Sequence, residues 1–255
     1  MKLNIPALAE IAINAGKAIL SVYNDSELYN KVSFKEDNSP LTLADQRAHD
    51  VIAAGLTKLY PDIPLLSEEG SQIPYEERSK WEKYWCVDPL DGTKEFIGRN
   101  GEFTVNIALI EDNTPIFGLI YIPVQDLLYY GDADGSFKQI PGQEAVPIHV
   151  DQDAKDWTAL GSRSHADPTE NEYLNKFPVK NVRSAGSSLK FCLIAEGTAH
   201  IYYRKGPTME WDTAAGHAIA LFSGAIFTTP EGAPFVYNKP SLTNGSFVCR
   251  ISDPR

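Results

Sequence analysis

The chain has 255 residues, of which 43% are hydrophobic and 22% charged, a composition typical of a folded globular protein and unlike that of a disordered one. Its formal net charge is −11, and it contains no run of Lys or Arg of the kind that binding to polymeric nucleic acid requires. Its cysteines, Cys86, Cys192 and Cys249, are widely spaced, which argues against a disulfide framework or a zinc cluster and favours a reducing compartment.

The first third of the chain mixes helical and strand patterns. Apolar residues recur at helical spacing from Ile5 to Val22, which predicts an amphipathic opening helix rather than a signal peptide or a membrane span. Further elements are expected up to the central motif: a strand pair near 31–35, a helix over 43–59 that stops before Pro61, a buried strand over 63–66, a surface loop or loose helix over 71–80, and a strand over 81–87.

The middle of the chain alternates apolar and polar residues over 103–110, 115–122 and 127–130, which predicts an antiparallel meander that ends in a turn at 132–135. Apolar content then falls over 151–156. We expect a boundary there between an N-terminal half, residues 1–150, and a C-terminal half, residues 151–255. In the second half strands and helices alternate, which indicates an α/β arrangement. The expected strands cover 158–161, 179–183 and 199–202, and the expected helices follow Asp167 and cover 187–196 and 210–223.

The clearest chemical signal is the segment 85–96, WCVDPLDGTKEF. Asp88 and Asp91 are expected to project from one turn that Pro89 stiffens. Two carboxylates this close repel each other unless a cation joins them. Ligand sets made only of oxygen favour Mg²⁺, which keeps waters and accepts phosphate oxygens, and Leu90 could add its backbone carbonyl.

The next two residues, Gly92 and Thr93, stand at a predicted helix start, where free N–H groups attract phosphate. One short segment thus predicts metal ligands beside an anion-binding turn. The pattern D-P-x-D-G-T alone leaves an alternative open, namely an Asx-type turn followed by a helix cap.

Other acids could complete a metal site. Glu68 and Glu69 follow the strand predicted over 63–66, and ligand sites gather at strand ends in α/β proteins. Asp45 and Asp212 stand near the starts of predicted helices. Taken singly, each of these acids is equally well explained as a solvated loop acid or as a helix-start acid that the helix dipole favours.

Four segments in a fixed order give the chain its resemblance to a family: 41–45 (LTLAD), 66–70 (LSEEG), 85–96 and 210–216 (EWDTAAG). Together they resemble the inositol monophosphatase superfamily of lithium-sensitive, magnesium-dependent phosphatases. The resemblance implies a layered α/β/α/β/α fold with an N-terminal α+β half and a C-terminal α/β half. It places the active site between the two halves.

The same resemblance implies roles for individual residues. Asp45, Thr93 and Glu68 would be catalytic, and the first two would orient the attacking water. The cofactor would be Mg²⁺, with two or three ions in each active site. The implied metal ligands are the carboxylates of Glu68, Asp88, Asp91 and Asp212 and the backbone carbonyl of Leu90.

The C-terminal half bears on which phosphate ester is the substrate. Inositol monophosphatases usually carry a glutamate seven residues before the last metal-ligand aspartate, whereas this chain has Lys205 there, preceded by Arg204. A cation suits an additional anionic group, although exposed surface charges explain this pair equally well. The segments 161–165 (GSRSH), 186–191 (GSSLKF) and 207–217 (PTMEWDTAAGH) resemble those of the bacterial CysQ type, the 3'(2'),5'-bisphosphate nucleotidases.

This second resemblance implies hydrolysis of the 3'-phosphate of adenosine 3',5'-bisphosphate to AMP and phosphate, which would clear a by-product of sulfate assimilation. The sulfated relative, 3'-phosphoadenylyl sulfate, is a second candidate substrate. The implied substrate-binding residues are Gly92, Thr93, Ser164, His165, Ser188, Lys190, Lys205 and Asp212.

Two alternatives stay open: an inositol monophosphatase or broad sugar phosphatase of the same fold, and a non-catalytic binder of phosphate ligands. The expected partner is a small nucleotide bisphosphate, with no polymeric nucleic acid and no transmembrane segment. The expected location is the cytoplasm, and peripheral contact with the inner membrane is left open. No sequence feature decides the oligomeric state.

Overall fold

Two long helices open the chain. The structure, a computed structural model, describes residues 2–25, 32–34, 40–162 and 170–252. Helix α1 spans Ile5–Tyr23, and the side chain of Asn4 caps it by accepting a hydrogen bond from the N–H of Ala7. Helix α2 spans Leu43–Leu59. Both helices lie where the apolar spacing predicts them, and a strand pair connects them: β1 (Val32–Phe34) and β2 (Pro40–Thr42).

A seven-stranded sheet forms the centre of the N-terminal half. Its strands are β3 (Leu65–Ser67), β4 (Lys83–Asp91), β5 (Thr104–Glu111), β6 (Thr114–Ile122), β7 (Leu127–Asp132), β8 (Gly135–Gln139) and β9 (Val146–Ile148). They lie side by side in chain order; β3 pairs parallel with β4, and the other neighbours pair antiparallel. The three predicted strands of the meander are confirmed. The predicted end is wrong, because the turn at 132–135 connects β7 to β8 and the meander continues to β9. Two short helices and a 3₁₀ turn interrupt these strands: α3 (Tyr75–Arg78), α4 (Thr93–Ile97) and Pro123–Gln125.

A second, five-stranded sheet belongs to the C-terminal half. Its strands are β10 (Trp157–Ser162), β11 (Val179–Ala185), β12 (Ile201–Arg204), β14 (Ile226–Thr228) and β16 (Phe247–Arg250), and a separate pair is made by β13 (Thr208–Met209) and β15 (Thr243–Asn244). The order is β11-β10-β12-β16-β14, with β10 parallel to both of its neighbours and β16 antiparallel to both of its own. The helices are α5 (Glu170–Leu174), α6 (Leu189–Ala195) and α7 (Glu210–Phe222).

Side chains on the large sheet alternate between two apolar cores. On β4, Trp85 and Val87 pack in the core that α1 and α2 cover, whereas Tyr84 and Cys86 pack in the core that holds α6 and α7. Helix α7 approaches the sheet so closely that a Cβ on Gly118 would clash with the backbone carbonyl of Ala215. The helices and sheets stack as α/β/α/β/α, so the implied layered fold is confirmed.

The change from one sheet to the other falls close to the predicted boundary. The large sheet ends at Ile148 and the small sheet begins at Trp157. Helix α7 of the C-terminal half nevertheless packs against β5 and β6 of the N-terminal half. The division into 1–150 and 151–255 therefore stays a prediction.

Helix α1 is long and apolar enough to cross a membrane, judged by length and composition alone. In this fold, however, one face of the helix, which includes Leu8, Ala12 and Ile19, is buried in the core shared with α2 and the large sheet. An apolar core helix passes the same test of length and composition as a membrane span. The helix therefore provides core packing in this structure.

Candidate active site

Three carboxylates from three separate elements meet at one end of the large sheet. Glu68 follows β3, Asp88 lies on β4, and Asp212 lies in the first turn of α7. One oxygen of each lies within 4.8 Å of the oxygens of the other two. The parallel pairing of β3 with β4, which the bond from the Glu68 N–H to the carbonyl of Val87 extends by one residue, brings Glu68 beside Asp88.

Burial and like charge raise the pKa of Asp88 and of Asp212. Asp88 is 1% exposed, and its pKa is raised well above the usual range, first by burial and then by the charges of nearby acids. Burial and the charge of Asp91 also raise the pKa of Asp212, although Asp212 accepts a hydrogen bond of 2.8 Å from the N–H of Met209. The acids that act on Asp88 are Glu68, Asp91, Asp212 and Asp45.

This donor set fits Mg²⁺. The three oxygens come from carboxylates, and hard divalent cations prefer oxygen ligands. Buried carboxylates this close to one another must either take up protons or share a cation. The positive charge of a cation would therefore stabilise the ionised form of the acids that burial disfavours.

The segment from Asp88 to Asp91 is a bulge within a strand, and the predicted turn is wrong. Strand β4 extends to Asp91, with Asp88 paired to Asn106 and Asp91 paired to Thr104. One extra residue of β4 lies between these two pairs, which is the definition of a β-bulge. Proline has no N–H to donate to the strand ladder, so Pro89 is tolerated in the bulge.

Asp88 also makes the Asx-type contact that the sequence analysis gave as the alternative to a metal site. Its Oδ1 accepts a hydrogen bond of 3.0 Å from the N–H of Leu90. This Asx-type bond fixes the carboxylate against its own backbone. The Asx-type bond and the acid cluster are therefore present together.

Asp91 is held from both halves of the chain. Its Oδ2 accepts a bond of 2.6 Å from the backbone N–H of Ser188 and a longer one of 3.4 Å from the Nδ2 of Asn106. The Ser187 hydroxyl donates to the backbone carbonyl of Asp91 at 2.6 Å. Burial raises the pKa of Asp91, and the charge of Lys190 opposes that shift. Asp91 lies outside the group of three acids within 4.8 Å, although its charge acts on two of them.

Helix α4 begins at Thr93, as predicted, and Gly92 is its N-cap. Gly92 has a φ of 90°. A Cβ there would lie 2.8 Å from the Oγ of Ser187, so the position requires glycine for both reasons. Gly92 and Thr93 are half-buried beside Asp91. Their contact with a phosphate stays a prediction.

Asp45 lies in the first turn of α2 and is 1% exposed. Its charge raises the pKa of Asp88, so the two carboxylates share one electrostatic environment. The structure thus brings Asp45 to the acid cluster, and its role in catalysis stays a prediction.

The predicted substrate contacts of the C-terminal half lie in different settings. Ser188 is 1% exposed, and its Oγ donates a hydrogen bond of 2.7 Å to the Oδ1 of Asn106. The Nζ of Lys190 donates to the carbonyl oxygens of Ser187 and Ala185 at 2.7 and 3.2 Å. Both side chains therefore lie beside Asp91 and already bond to protein atoms, and their contact with substrate stays a prediction. Ser164 and His165 lie outside the described residues.

Of the two basic residues at the end of β12, Lys205 is exposed and Arg204 is buried. The charge of Arg204 acts on both Lys190 and Asp212. Burial is the main reason why the pKa of Lys190 is lowered to about 8, and Arg204 contributes to the same shift. The structure therefore places Arg204, which the sequence analysis did not assign to the site, in electrostatic contact with Lys190 and Asp212. Contact of Lys205 with substrate stays a prediction.

Sequence reasoning also missed Thr104 and Asn106. Both are buried polar residues on β5, on the face where Ala108 and Ile110 pack in the core. A signal was available: between Asn106 and the terminal Glu111, β5 is apolar on both faces, and two polar residues share one face at its site end.

Comparison with known proteins places this geometry in a family. Residues 4–251 match the sequence model of the Inositol monophosphatase family. The chain is 49% identical over 245 residues to the 3'(2'),5'-bisphosphate nucleotidase CysQ of Shigella flexneri, covering 96% of this chain and 98% of that protein. It is 36% identical to the protein of the same name from Haemophilus influenzae, covering 93% and 89% of the two chains.

Solved structures agree with the sequence matches. The crystal structure of CysQ from Bacteroides thetaiotaomicron superposes with a TM-score of 0.84 at 42% identity, covering 97% of each chain. The inositol monophosphatase-II of Staphylococcus aureus superposes with a TM-score of 0.77 at 22% identity, covering 99% of this chain and 90% of that one, a likeness of fold alone. The family match spans nearly the whole chain and includes all three clustered acids, so this chain belongs to the inositol monophosphatase family.

Proposed function

We propose that this chain hydrolyses the 3'-phosphate of adenosine 3',5'-bisphosphate, giving AMP and inorganic phosphate, in a reaction that depends on Mg²⁺. The observation that carries the proposal is the 49% identity, over 96% of the chain, to a protein named as a 3'(2'),5'-bisphosphate nucleotidase. The cluster of Glu68, Asp88 and Asp212 supports it independently, because a phosphatase of this kind needs a set of carboxylate oxygens that can hold Mg²⁺. 3'-Phosphoadenylyl sulfate is a second proposed substrate.

In this proposal five residues hold two or three Mg²⁺ ions. Bound Mg²⁺ supplies Lewis-acid stabilisation of phosphate oxygens and lowers the pKa of a bound water. The protein's part is to gather the carboxylates at the ends of separate elements and to keep them ionised in a buried setting. The proposed ligands are the side chains of Glu68, Asp88, Asp91 and Asp212 and the carbonyl of Leu90.

Asp45, Thr93 and Glu68 are the proposed catalytic residues. An ionised carboxylate can only accept hydrogen bonds, so Asp45 would turn an O–H of the attacking water toward itself. The Thr93 hydroxyl can donate and accept, and it would fix the direction of the same water. Gly92 and Thr93 would also offer backbone N–H groups to the phosphate that leaves the substrate.

The second phosphate of the substrate needs positive charge, and the C-terminal half supplies it. Lys190 and Arg204 are both largely buried, and their charges act on one another close to Asp91 and Asp212. A phosphate that reached this position would gain charge-assisted hydrogen bonds in a setting with little water. We therefore assign the 5'-phosphate to this region. The other substrate-binding residues in the proposal are Ser164, His165, Ser188 and Lys205.

The test compares kcat/KM for adenosine 3',5'-bisphosphate and for inositol 1-phosphate, each with Mg²⁺ and with EDTA. The proposal expects a strong preference for the bisphosphate and no turnover in EDTA. A preference for the inositol ester would identify an inositol monophosphatase instead. Tight binding of the bisphosphate without release of phosphate would identify a non-catalytic binder.

The proposed partner is this small bisphosphate rather than a polymeric nucleic acid, consistent with the net charge of −11. The cytoplasm is the proposed location. Fractionation of cells that express a tagged chain tests the location, and recovery in the membrane pellet would contradict it.

A further inference from the structure

Three buried polar side chains form a small cluster between the large sheet and the loop before α6. Thr104, Asn106 and Ser188 are 0%, 1% and 1% exposed. The Oδ1 of Asn106 accepts hydrogen bonds from the Ser188 hydroxyl at 2.7 Å and from the Thr104 hydroxyl at 3.1 Å. The two hydroxyl oxygens are 2.7 Å apart. None of these residues belongs to the acid cluster, yet all three adjoin Asp91.

The amide of Asn106 has only one orientation that satisfies its neighbours. The amide ends in an oxygen and a nitrogen. The end that faces away from the two hydroxyls lies 3.4 Å from the Oδ2 of Asp91. A carboxylate oxygen can only accept, so the amide must turn its NH₂ group toward Asp91 and its oxygen toward the two hydroxyls. The hydroxyls of Thr104 and Ser188 therefore fix the amide, and the amide in turn donates to Asp91.

Two donors converge on one oxygen of the Asp91 carboxylate. The backbone N–H of Ser188 and the Nδ2 of Asn106 both point at Oδ2. Asn106 pairs with Asp88 across the strands and reaches Asp91 over the bulge. Two donors that reach Oδ2 from different strands and loops restrict the rotamer of the carboxylate, and so they restrict the direction of Oδ1.

We propose that Asn106 is a positioning residue for Asp91, which turns the carboxylate so that Oδ1 serves the cation. The inference rests on the proposed function, because it assumes that Asp91 is a metal ligand. Without the amide, the carboxylate loses a side-chain donor from β5, and the hydroxyls of Thr104 and Ser188 lose their shared acceptor. Outer hydrogen-bond partners of this kind typically change metal affinity by about 10- to 100-fold.

The experiment measures Mg²⁺ affinity by isothermal titration calorimetry on the metal-free protein, without substrate. Asn106→Leu removes the amide at similar volume, and we expect Mg²⁺ to bind about tenfold more weakly. Asp91→Asn is the positive control and should weaken binding further. Ser136→Ala is the matched control for lost stability, because Ser136 is a fully buried residue of the same sheet whose hydroxyl donates to the carbonyl of Ile219.

The possible results distinguish a failure of the positioning role of Asn106 from a failure of the proposed function. Weaker binding in Asn106→Leu and Asp91→Asn, with Ser136→Ala unchanged, supports the inference. Weaker binding in Asp91→Asn alone overturns the positioning role and leaves the proposed function intact. Unchanged binding in Asp91→Asn removes Asp91 from the ligand set and overturns the inference together with that part of the proposal.

A second measurement covers the case in which Asn106→Leu does not fold. The side-chain amide of Asn106 in the unmodified protein can be assigned by through-bond NMR and followed during a Mg²⁺ titration. We expect its proton shifts to change with the dissociation constant that calorimetry gives. Amide shifts that stay constant up to saturating Mg²⁺ would overturn the inference without any variant.

Discussion

The backbone N–H of Ser188 donates a hydrogen bond of 2.6 Å to the carboxylate of Asp91, across a sequence separation of 97 residues. Asp91 ends a strand of the large sheet, and Ser188 is the N-cap of α6 in the C-terminal half. The Ser187 hydroxyl adds a bond of 2.6 Å to the backbone carbonyl of Asp91. The position of a proposed metal ligand therefore depends on how the two halves are joined.

The Asp88→Asn variant should make the metal-free protein more stable and the enzyme inactive. Asp88 is buried among like charges, and asparagine keeps the oxygen that accepts the N–H of Leu90 while removing the charge. We expect a higher free energy of unfolding in EDTA, because the substitution removes the charge that burial and the neighbouring acids disfavour. Denaturant unfolding with and without Mg²⁺ measures it. A variant less stable than the unmodified protein in EDTA would contradict the repulsion.

The same variant should lose turnover by at least about 100-fold, because losing a carboxylate at the metal removes several kcal/mol of transition-state stabilisation. Phosphate release at saturating Mg²⁺ is the measurement. Glu76→Gln, an exposed acid on the short helix α3, is the control and should leave the rate unchanged. Near-normal turnover in a folded Asp88→Asn protein would exclude Asp88 as a ligand.

The Lys190→Met variant should lose activity on the bisphosphate more than on adenosine 3'-monophosphate. A charge-assisted hydrogen bond contributes about 1.5–3 kcal/mol, so KM for the bisphosphate should rise roughly 10- to 100-fold. The Lys190 Nζ also bonds to the carbonyls of Ala185 and Ser187, so support of the loop is the competing role. An equal loss on both substrates would show that loop support, and not contact with the 5'-phosphate, explains the lysine.

Lys190 should also make affinity for the bisphosphate depend on pH. Burial lowers its pKa to about 8, so the ammonium loses its proton as the pH rises through that value. We expect KM for the bisphosphate to increase between pH 7 and pH 9 in the unmodified protein and to stay flatter in Lys190→Met. Monophosphate kinetics over the same range correct for changes in metal binding. Parallel pH profiles in the two proteins would contradict the assignment.

His217 should lower stability in acid. Its ring stacks on Phe227 with centroids 4.0 Å apart, its Nδ1 lies 3.1 Å from the Tyr237 hydroxyl, and burial lowers its pKa to about 3. Below pH 6.5 the His217 ring binds a proton in the unfolded chain but not in the folded chain. The free energy of unfolding therefore falls as the pH drops from 6.5 toward 3. This cost reaches about 2 kcal/mol at pH 5.

His217→Phe removes the titrating group and keeps a ring against Phe227. The difference in unfolding free energy between pH 7 and pH 5 should therefore be about 2 kcal/mol smaller in the variant than in the unmodified protein. Urea unfolding at both pH values, in EDTA, measures this difference, and the acid cluster contributes equally to both proteins. The same pH dependence in both would show that another group causes the loss.

A buried ion pair supports the start of α7. Glu210 is fully buried, and the Nζ of Lys239 lies 2.6 Å from its Oε1. Removing one partner of a buried pair leaves an uncompensated charge, which costs about 3–5 kcal/mol, and less where one partner is partly exposed as Lys239 is. We expect Lys239→Met to cost about 2–3 kcal/mol and Glu210→Gln/Lys239→Met to cost less than the sum of the single variants. If the losses of the two single variants were additive, Glu210 and Lys239 would have no interaction energy with each other.

The sequence predicts the fold well where the signal is local. The bounds of α2 match the apolar spacing and Pro61, and the meander follows from alternation alone. The bulge at Asp88 to Asp91 could not be read in the same way, because a bulge is defined by pairing with another strand. Proline and glycine in the segment suggested a turn, and only the register with Asn106 and Thr104 shows that the strand continues.

Contacts between distant segments could not be predicted from the sequence. Asn106 and Ser188 are 82 residues apart, and no periodicity links them. Whether Arg204 points into the protein depends on where β12 ends and on which side of the strand the residue lies. That strand was predicted to end at residue 202 but spans Ile201–Arg204, so Tyr202 and Arg204 share the buried side and Lys205 lies outside.

Helix α7 has a consequence for how the protein is made. The helix fills the space between the two sheets, and its first turn carries Asp212. A ribosome has therefore synthesised Asp45, Glu68 and Asp88 long before the residue that completes the acid cluster. The last acid arrives on the same helix that completes the core, so a chain that still lacks α7 cannot assemble the three-acid cluster.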